Sequence, residues 1–541
     1  MLKFNKFKGN FILNGSEYSR SVSQGEKMLI GDLLKNSADA HPDKSAIISG
    51  ELVATYKELN EAANKIANAI IIQNLSKSAN LAILSTNQFD YPAIYFGAAR
   101  SGKILAHLSS RFTNEELLQV INKTDITLIF VHVDLLENLL NIKDELPNLS
   151  NIIVFGRYQS IIGNVSSLDD FVGDASSDEP HVVVKETDAF AITYTGGTTG
   201  FPKGVVVNHA SRIIGSVRAE REFDMMDSDI NCCSTPLFHI AGLFVWFQTS
   251  IKMGCTCVLL SAWNPDKFID LVENCGVTGA FLVPTQINSV LSHPDFSRER
   301  LKNWRYCSHG GAPTSTAQLD RMLEMLPDVI WEEQYGQSEA GNLTVRPNLF
   351  TLRKASSVGR AFNDVELAII DQNEIELPAG ESGEVVTKGI QTMMYYYNDP
   401  DQTREVFTSD GWLKTGDIGY IDSEGFLFLV DRSKDMIISG GENIFPTEIE
   451  NALYSHPDVH ECAVFGVPDD HWGELPAAHV IVKADKVITE SELEAHCVSM
   501  ISRHKRPRLI KFVKFLPKTA VGKIQKNIIR EPYWLERDRS I

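Results

Sequence analysis

The sequence predicts an α/β protein: a large N-terminal domain of two sheets made from βα repeats plus a small β-rich subdomain, followed by a small α+β C-terminal domain. Three observations carry this. Short apolar runs alternate with longer segments of helical period from about Ile30 to Ser261. The same alternation returns from Thr256 to about Val345. From Val365 to Asp431 the pattern changes to short strands joined by Gly, Asn and Asp turns.

The elements follow in order. Leu81–Leu84 and Leu128–Val131 are apolar runs of strand length, and the segment from Tyr56 to Ile72 has helical period. After Asp431 come a charged turn, a helix from about Pro446 to Ser455, strands near Cys462–Val467 and Ala478–Val482, and a basic terminal segment. A boundary at Asp431–Lys434 divides the chain into domains 1–431 and 432–541, with no internal repeat. A length of 541 residues requires at least two domains in any case.

Composition excludes several classes. Fifty-one Lys and Arg against 70 Asp and Glu give a net charge of −19, whose field repels phosphate backbones, so a general nucleic-acid binder is disfavoured. Positive charge is concentrated between Arg503 and Arg530, which holds ten Lys or Arg and no Asp or Glu. The eight cysteines form no C-x-x-C pair, so neither a zinc site nor a disulfide framework is indicated, and a reducing cytoplasm fits. No signal peptide and no membrane-spanning run is read in the sequence. Peripheral membrane contact and a homodimer stay open.

The strongest local signal is Tyr194-Thr-Gly-Gly-Thr-Thr-Gly-Phe-Pro-Lys-Gly-Val205, directly after the apolar run Ala189–Ile192. Its glycines let backbone N–H groups approach phosphate oxygens, and Thr195, Thr198 and Thr199 add hydroxyl donors. It is not a Walker A loop, since G-x-x-x-x-G-K-[ST] cannot be laid over it. The bland alternative is a flexible Gly/Thr turn.

This segment resembles the phosphate-binding signature of the acyl-adenylate-forming superfamily: acyl-CoA synthetases, luciferases and peptide-synthetase adenylation domains. Six further segments resemble that family in order: PLFHIAG (236–242), SHGGAP (308–313), YGQSEAG (335–341), KTGDIGYID (414–422), DRSKDMIISGGENIFPTEIE (431–450) and PKTAVGKIQK (517–526). The resemblance implies an ATP-dependent acid:CoA ligase of the fatty-acid or 4-coumarate type. Such an enzyme uses ATP, Mg2+ and coenzyme A, and its small C-terminal domain moves between two half-reactions.

It also implies roles for individual residues. Thr195, Gly196, Gly197, Thr198, Thr199, Gly200 and Lys203 would cradle phosphate, with Thr198 and Glu339 on magnesium, a hard cation that takes oxygen donors. Tyr335 would offer a flat face to adenine opposite Gly310, Gly311, Ala312 and Pro313, in company with Gly336, Gln337 and Ser338. Asp417 would accept the ribose hydroxyls, although Asp in a T-G-D turn is otherwise a plain turn former. Arg432 would present its guanidinium to the nucleotide. Lys523 would be the electrostatic catalyst between carboxylate and α-phosphate. Gly440 and Gly441 would line the pantetheine channel, and Lys434 would be the hinge.

The acid is expected in an apolar pocket between His239, the run Phe281–Val283, the Gly310–Gly311 turn and Gly336, which suits a fatty or aryl acid. A histidine between Phe238 and Ile240 is as readily a satisfied core residue. Gly242–Phe247 contains no carboxylate, so an amino-acid substrate would leave its ammonium buried and unpaired. A luciferase-like oxygenase, a carrier-protein-directed adenylating enzyme and a catalytically silent nucleotide binder are the rival readings.

Overall fold

A computed structural model describes residues 28–157, 165–195, 202–222, 225–312, 314, 316–347, 354–432, 435–439, 442–469, 471–518 and 524–535. Several of its helices begin where the sequence supplies side-chain caps. At Thr55-Tyr-Lys-Glu58, the Glu58 backbone N–H donates to Thr55 Oγ1 at 3.2 Å and the Thr55 N–H to Glu58 Oε2 at 2.8 Å. The helix that follows spans Tyr56–Ile72, the predicted range, and buries Leu59, Ala63, Ile66 and Ile70 on one face. Thr113 with Glu116 and Thr489 with Glu492 repeat the device.

Two large sheets carry the N-terminal region. The first has eight strands, with Leu105–Leu108, Asn80–Leu84, Ile126–His132 and Asn151–Phe155 parallel at its centre. These strands are buried on both faces, which explains their continuous apolar runs. At one side Ala189–Thr195 joins in parallel, and Lys203–Asn208 returns antiparallel beside it. Tyr395–Tyr396 closes that edge against Val205 and Val206.

The second sheet has thirteen strands. Ile230–Cys233, Gly279–Leu282, Tyr306–Gly310 and Ile330–Gln337 run parallel in its middle. The β-rich part expected after Val365 is not a detached layer. Gly341–Arg346 turns back along Ile330–Gln337, and Gly359–Ala361 then links it to Phe426–Arg432, Leu413–Ile421, Gly383–Lys388 and Glu366–Ile370, so the sheet is continuous.

Downstream of residue 435 a five-stranded sheet forms around Val459–Asp469 and Gly473–Val482, with Leu509–Phe512 on its other side. Both long strands exceed the ranges read from sequence, because Pro468 and Pro476 pair within the ladder where composition alone suggests breaks. Helix Pro446–Tyr454 matches the expected one and buries Ile449 and Leu453. Among the described residues no helix is long and apolar enough to cross a membrane.

Candidate active site

The segment expected to bind phosphate is flanked by the two strands of one hairpin, Ala189–Thr195 and Lys203–Asn208. Thr195 stands opposite Lys203 in the antiparallel pair, which fixes where the loop leaves and re-enters the sheet. Gly196, Gly197, Thr198, Thr199 and Gly200 lie outside the described residues. The Lys203 ammonium sits 5.1 Å from the ring centre of Tyr396, on the strand that closes this edge.

Glu339 reaches the same place from another sheet. It occupies the turn between Ile330–Gln337 and Gly341–Arg346, and its Oε1 accepts from Thr195 Oγ1 at 3.1 Å and from the Tyr396 hydroxyl at 2.9 Å. Two hydroxyls on one oxygen fix the plane of the carboxylate. Burial first, and the Glu339 charge second, push the Tyr396 hydroxyl well above the ordinary tyrosine range, so it stays a donor. Buried cations hold the turn: Arg212 donates to Ser338 O at 2.8 Å and to Gln391 O at 3.0 Å, and Arg218 donates to Asn342 O at 3.0 Å while pairing with Asp364 at 2.8 Å.

Beside this turn lies a second group. The Tyr335 hydroxyl donates to Asp417 Oδ2 at 2.6 Å. Asp417 is set by its turn: Gly416 has φ +71°, which favours glycine, and the Asp417 N–H donates to Thr415 Oγ1 at 3.1 Å. Gln337 Nε2 donates to Thr415 O at 3.0 Å, tying the two strands together. Arg432 stands opposite Asp417 in the strand register.

The Ser308–Pro313 segment ends the strand Tyr306–Gly310. Gly310 lies opposite Gln334, and a Cβ there would fall 2.2 Å from Gln334 O, so close pairing at this point requires glycine. Ala312 follows in the same turn, and Pro313 lies outside the described residues. Val283 approaches from the neighbouring strand, its methyl 3.7 Å from where a Cβ of Gly311 would stand. Beneath, burial pushes His309 down to about 3, so it is a neutral ring facing Thr314 Oγ1 at 3.3 Å. Gly336 is exposed at the end of its strand, where a Cβ would meet Gly341 O at 2.3 Å.

His239 follows a tightly held loop. Asn87 donates to Cys233 O at 2.9 Å and Thr235 O at 3.0 Å and accepts from the Leu237 N–H at 2.8 Å, so one amide pins the segment 233–237. The half-buried His239 ring accepts from the Ala241 N–H at 3.3 Å, after which Ala241–Phe247 runs as a π-helix. Such turns recur at functional sites, and this one places Ile240 and Phe244 beside the Glu339 hairpin, around one small cavity with Gly341 and Asn342.

In the C-terminal region, Lys434, Gly440, Gly441 and Lys523 lie outside the described residues. The strands flanking the glycine pair, Ile437–Ser439 and Glu442–Ile444, pair antiparallel. Of the expected residues that are described, two clusters form: Thr195, Lys203, Ser338 and Glu339; and Tyr335, Gln337 and Asp417, with Arg432 opposite Asp417, Gly336 between the clusters in sequence and Gly310–Gly311 across the strand, while His239, Val283 and Ala312 are placed apart from these two. Tyr396, Arg212 and Asn87 were not foreseen from sequence.

Comparison with known proteins shows the family. Residues 34–397 match the model of the AMP-binding enzyme family, and residues 448–523 match that of the AMP-binding enzyme C-terminal domain. A long-chain-fatty-acid–CoA ligase of Mycobacterium tuberculosis is 31% identical over 513 residues, covering 93% of this chain and 98% of that one. A feruloyl-CoA synthase of an Amycolatopsis species is 31% identical over 496 residues, covering 91% and 96%. The crystal structure of ATP-bound MatB from Rhodopseudomonas palustris superposes with a TM-score of 0.85 at 27% identity, over 94% of this chain and 99% of that one. The chain is therefore an enzyme, an AMP-forming acid–thiol ligase that binds ATP, and it belongs to the AMP-binding enzyme family.

Proposed function

We propose that this chain attaches a carboxylic acid to AMP at the expense of ATP and then passes the acyl group to coenzyme A. A carboxylate is a poor electrophile whose oxide does not leave, so AMP must first become the leaving group. The observation that carries the reading is the convergence of Glu339 on Thr195, at one root of the phosphate loop, from a position 144 residues away. The acceptor is read as coenzyme A rather than a carrier protein because both curated relatives described above are CoA enzymes.

Each residue then has a task. The loop Thr195–Gly200, with Lys203, holds the phosphates. Tyr335 backs the adenine against Gly310, Gly311, Ala312 and Pro313, with Gly336, Gln337 and Ser338 along one edge. Asp417, whose one oxygen is already steered by Tyr335, takes the ribose, with Arg432 opposite it. Glu339 offers a hard oxygen donor of fixed orientation, which fits magnesium, and it would hold the ion together with Thr198. When bound, magnesium neutralises charge on the phosphate oxygens. Lys523 places an ammonium between the acid's carboxylate and the α-phosphate, where charge builds as the new bond forms.

The domains divide at 431–434. In this reading the region 432–541 turns about Lys434 after adenylation, withdrawing Lys523 and bringing Gly440 and Gly441 to the thiol channel. The acid is a fatty or aryl acid, enclosed by His239, Val283, Gly310 and Gly336, and the enzyme works in the cytoplasm.

Pyrophosphate release with ATP and coenzyme A across short, medium and long fatty acids and aryl acids tests the activity. Lys523→Ala should cut acid-dependent pyrophosphate exchange by about 10²- to 10³-fold while sparing thioester formation from a presynthesised acyl-adenylate. Near-normal exchange in that variant removes Lys523 from the mechanism.

A further inference from the structure

The strand Leu509–Phe512 lies at the edge of the five-stranded C-terminal sheet, paired in parallel with Gly473–Val482 and, among the described residues, with nothing on its other side. From its second half the chain reads Lys511-Phe512-Val513-Lys514-Phe515-Leu516. Val513 and Leu516 turn inward and pack with Phe465 and Ile529 on one face of the sheet. The two Lys-Phe doublets turn outward: Phe512 is 39% exposed, Phe515 is 72% exposed, and both lysines are exposed. No other phenylalanine among the described residues is exposed.

The same stretch is where positive charge goes unpaired. Within Arg503–Arg530, which contains no Asp or Glu, Lys505, Arg506, Lys518 and Lys526 each pair with a carboxylate from elsewhere in the domain at 2.5–2.8 Å. Lys511 and Lys514 have no carboxylate partner among the described residues. The two parallel strands run out at one end of the sheet, so the loop 483–487 leaves it at the end where Lys514 and Phe515 stand. That loop is exposed throughout, with Val487 at 92%, and it adds Lys483 and Lys486 against Asp485, Lys486 lying 3.7 Å from Asp458. Lysines on an edge strand guard against strand-to-strand aggregation, but exposed phenylalanines beside them undo that protection, so solubility alone does not account for the doublets.

We infer that the Lys511–Phe515 edge is a docking surface for an anionic lipid membrane, with the two phenylalanines entering the headgroup region and the lysines lying against lipid phosphates. Charge complementarity commits it to that occupant. The whole chain carries −19 and is repelled by an anionic surface, so such a membrane meets it only where positive charge is unopposed, as it is at Lys511 and Lys514. A fluid bilayer accepts protruding rings without a matching pocket, whereas a folded partner has to supply one. None of these residues is assigned above to nucleotide, acid or thiol, so the inference stands independently of the proposed reaction.

Co-sedimentation of the full chain with vesicles tests this, comparing phosphatidylcholine alone with phosphatidylcholine mixed with phosphatidylglycerol. The wild-type chain should partition onto the anionic vesicles and come off them in high salt. Lys511→Gln combined with Lys514→Gln should lower that partitioning about 25-fold, at about fivefold for each lysine. Phe515→Ser should lower it about tenfold through lost apolar burial. Thermal midpoints should stay at the wild-type value in both variants, since the side chains removed are exposed, and if one variant does not fold the other decides. Absence of wild-type binding to anionic vesicles would overturn the inference and leave the doublets to an acidic protein partner. Equal binding to neutral vesicles would overturn it because the lysines are then not used, and anionic binding untouched in the folded variants would overturn it because another surface is then responsible.

Discussion

Tyr396→Phe removes one oxygen atom and little else. The ring stays packed at 5% exposure, and the Lys203 ammonium keeps an aromatic face 5.1 Å from its nitrogen. What disappears is the 2.9 Å hydrogen bond to Glu339 Oε1. A hydrogen bond to a charged acceptor contributes about 1.5–3 kcal/mol, which is about 10- to 150-fold if fully expressed in the transition state. Thr195 still donates to the same oxygen at 3.1 Å, so part of the orientation survives and the lower end applies. Groups that orient a metal-binding carboxylate are worth about 10- to 100-fold in affinity or activity. The magnesium concentration giving half-maximal pyrophosphate exchange should therefore rise about tenfold, and kcat/KM for ATP should fall to match. Selectivity among acids should not change. A double-mutant cycle with Thr195→Val isolates the coupling, because both hydroxyls share one acceptor. Magnesium dependence and ATP kinetics both within twofold of wild type would show that Glu339 is not an oriented ligand.

Other variants probe the remaining parts. Lys434→Pro fixes φ at the proposed hinge and should leave adenylation measurable while selectively impairing thioester formation; equal loss of both half-reactions argues against a pivot there. Gly310→Ala drives a methyl to 2.2 Å from Gln334 O, so it should cost about 1–3 kcal/mol by denaturant titration and weaken ATP binding; a variant with wild-type stability and ATP KM would show that this contact is soft. Glu333→Ala removes the carboxylate that pairs with Arg346 in a buried ion pair, whose burial pushes Glu333 up to about 7 and the guanidinium down. Breaking such a pair costs about 3–5 kcal/mol, a fall of several degrees in the thermal midpoint, and an unchanged midpoint would mean that Arg346 finds another acceptor.

Repeating βα units and the family-ordered motifs were legible because each is written in contiguous residues. The helix Tyr56–Ile72 was readable to its ends, since its period and its Thr55–Glu58 cap lie within one stretch. Tyr396 was not. It stands in Tyr395-Tyr396-Tyr397, and only the pairing of this short strand with Val205 and Val206 turns the middle ring inward while Tyr395 stays 38% exposed. Asn87 and Arg212 were hidden for the same reason, their partners lying 126 to 179 residues away. The π-helix was unreadable because its seven residues, Ala241–Phe247, are buried nearly all round and show no periodic face. Joining of the β-rich part to the second sheet depended on Gly359–Ala361, three residues that carry almost no strand signal by themselves.

The turn that presents Glu339 explains why so much positive charge is buried behind it. In the proposed reading this carboxylate faces a metal and a triphosphate and must keep its direction while the charge around it changes, and a free surface loop would reorganise at each step. Arg212 grips the turn before Glu339 through Ser338 O, Arg218 grips it after through Asn342 O, and the Met393 N–H donates to Glu339 O at 2.7 Å. Burying two guanidiniums is unfavourable, and only Arg218 recovers that cost with a carboxylate, Asp364. Arg212 is stabilised instead by carbonyl dipoles, by the Phe244 ring and by the field of Glu339 itself, which raises its basicity against the larger effect of burial. Arg212 and Arg218 thus hold the turn rigid behind Glu339, so the carboxylate is held in place before the nucleotide arrives and little reorganisation is needed when it does.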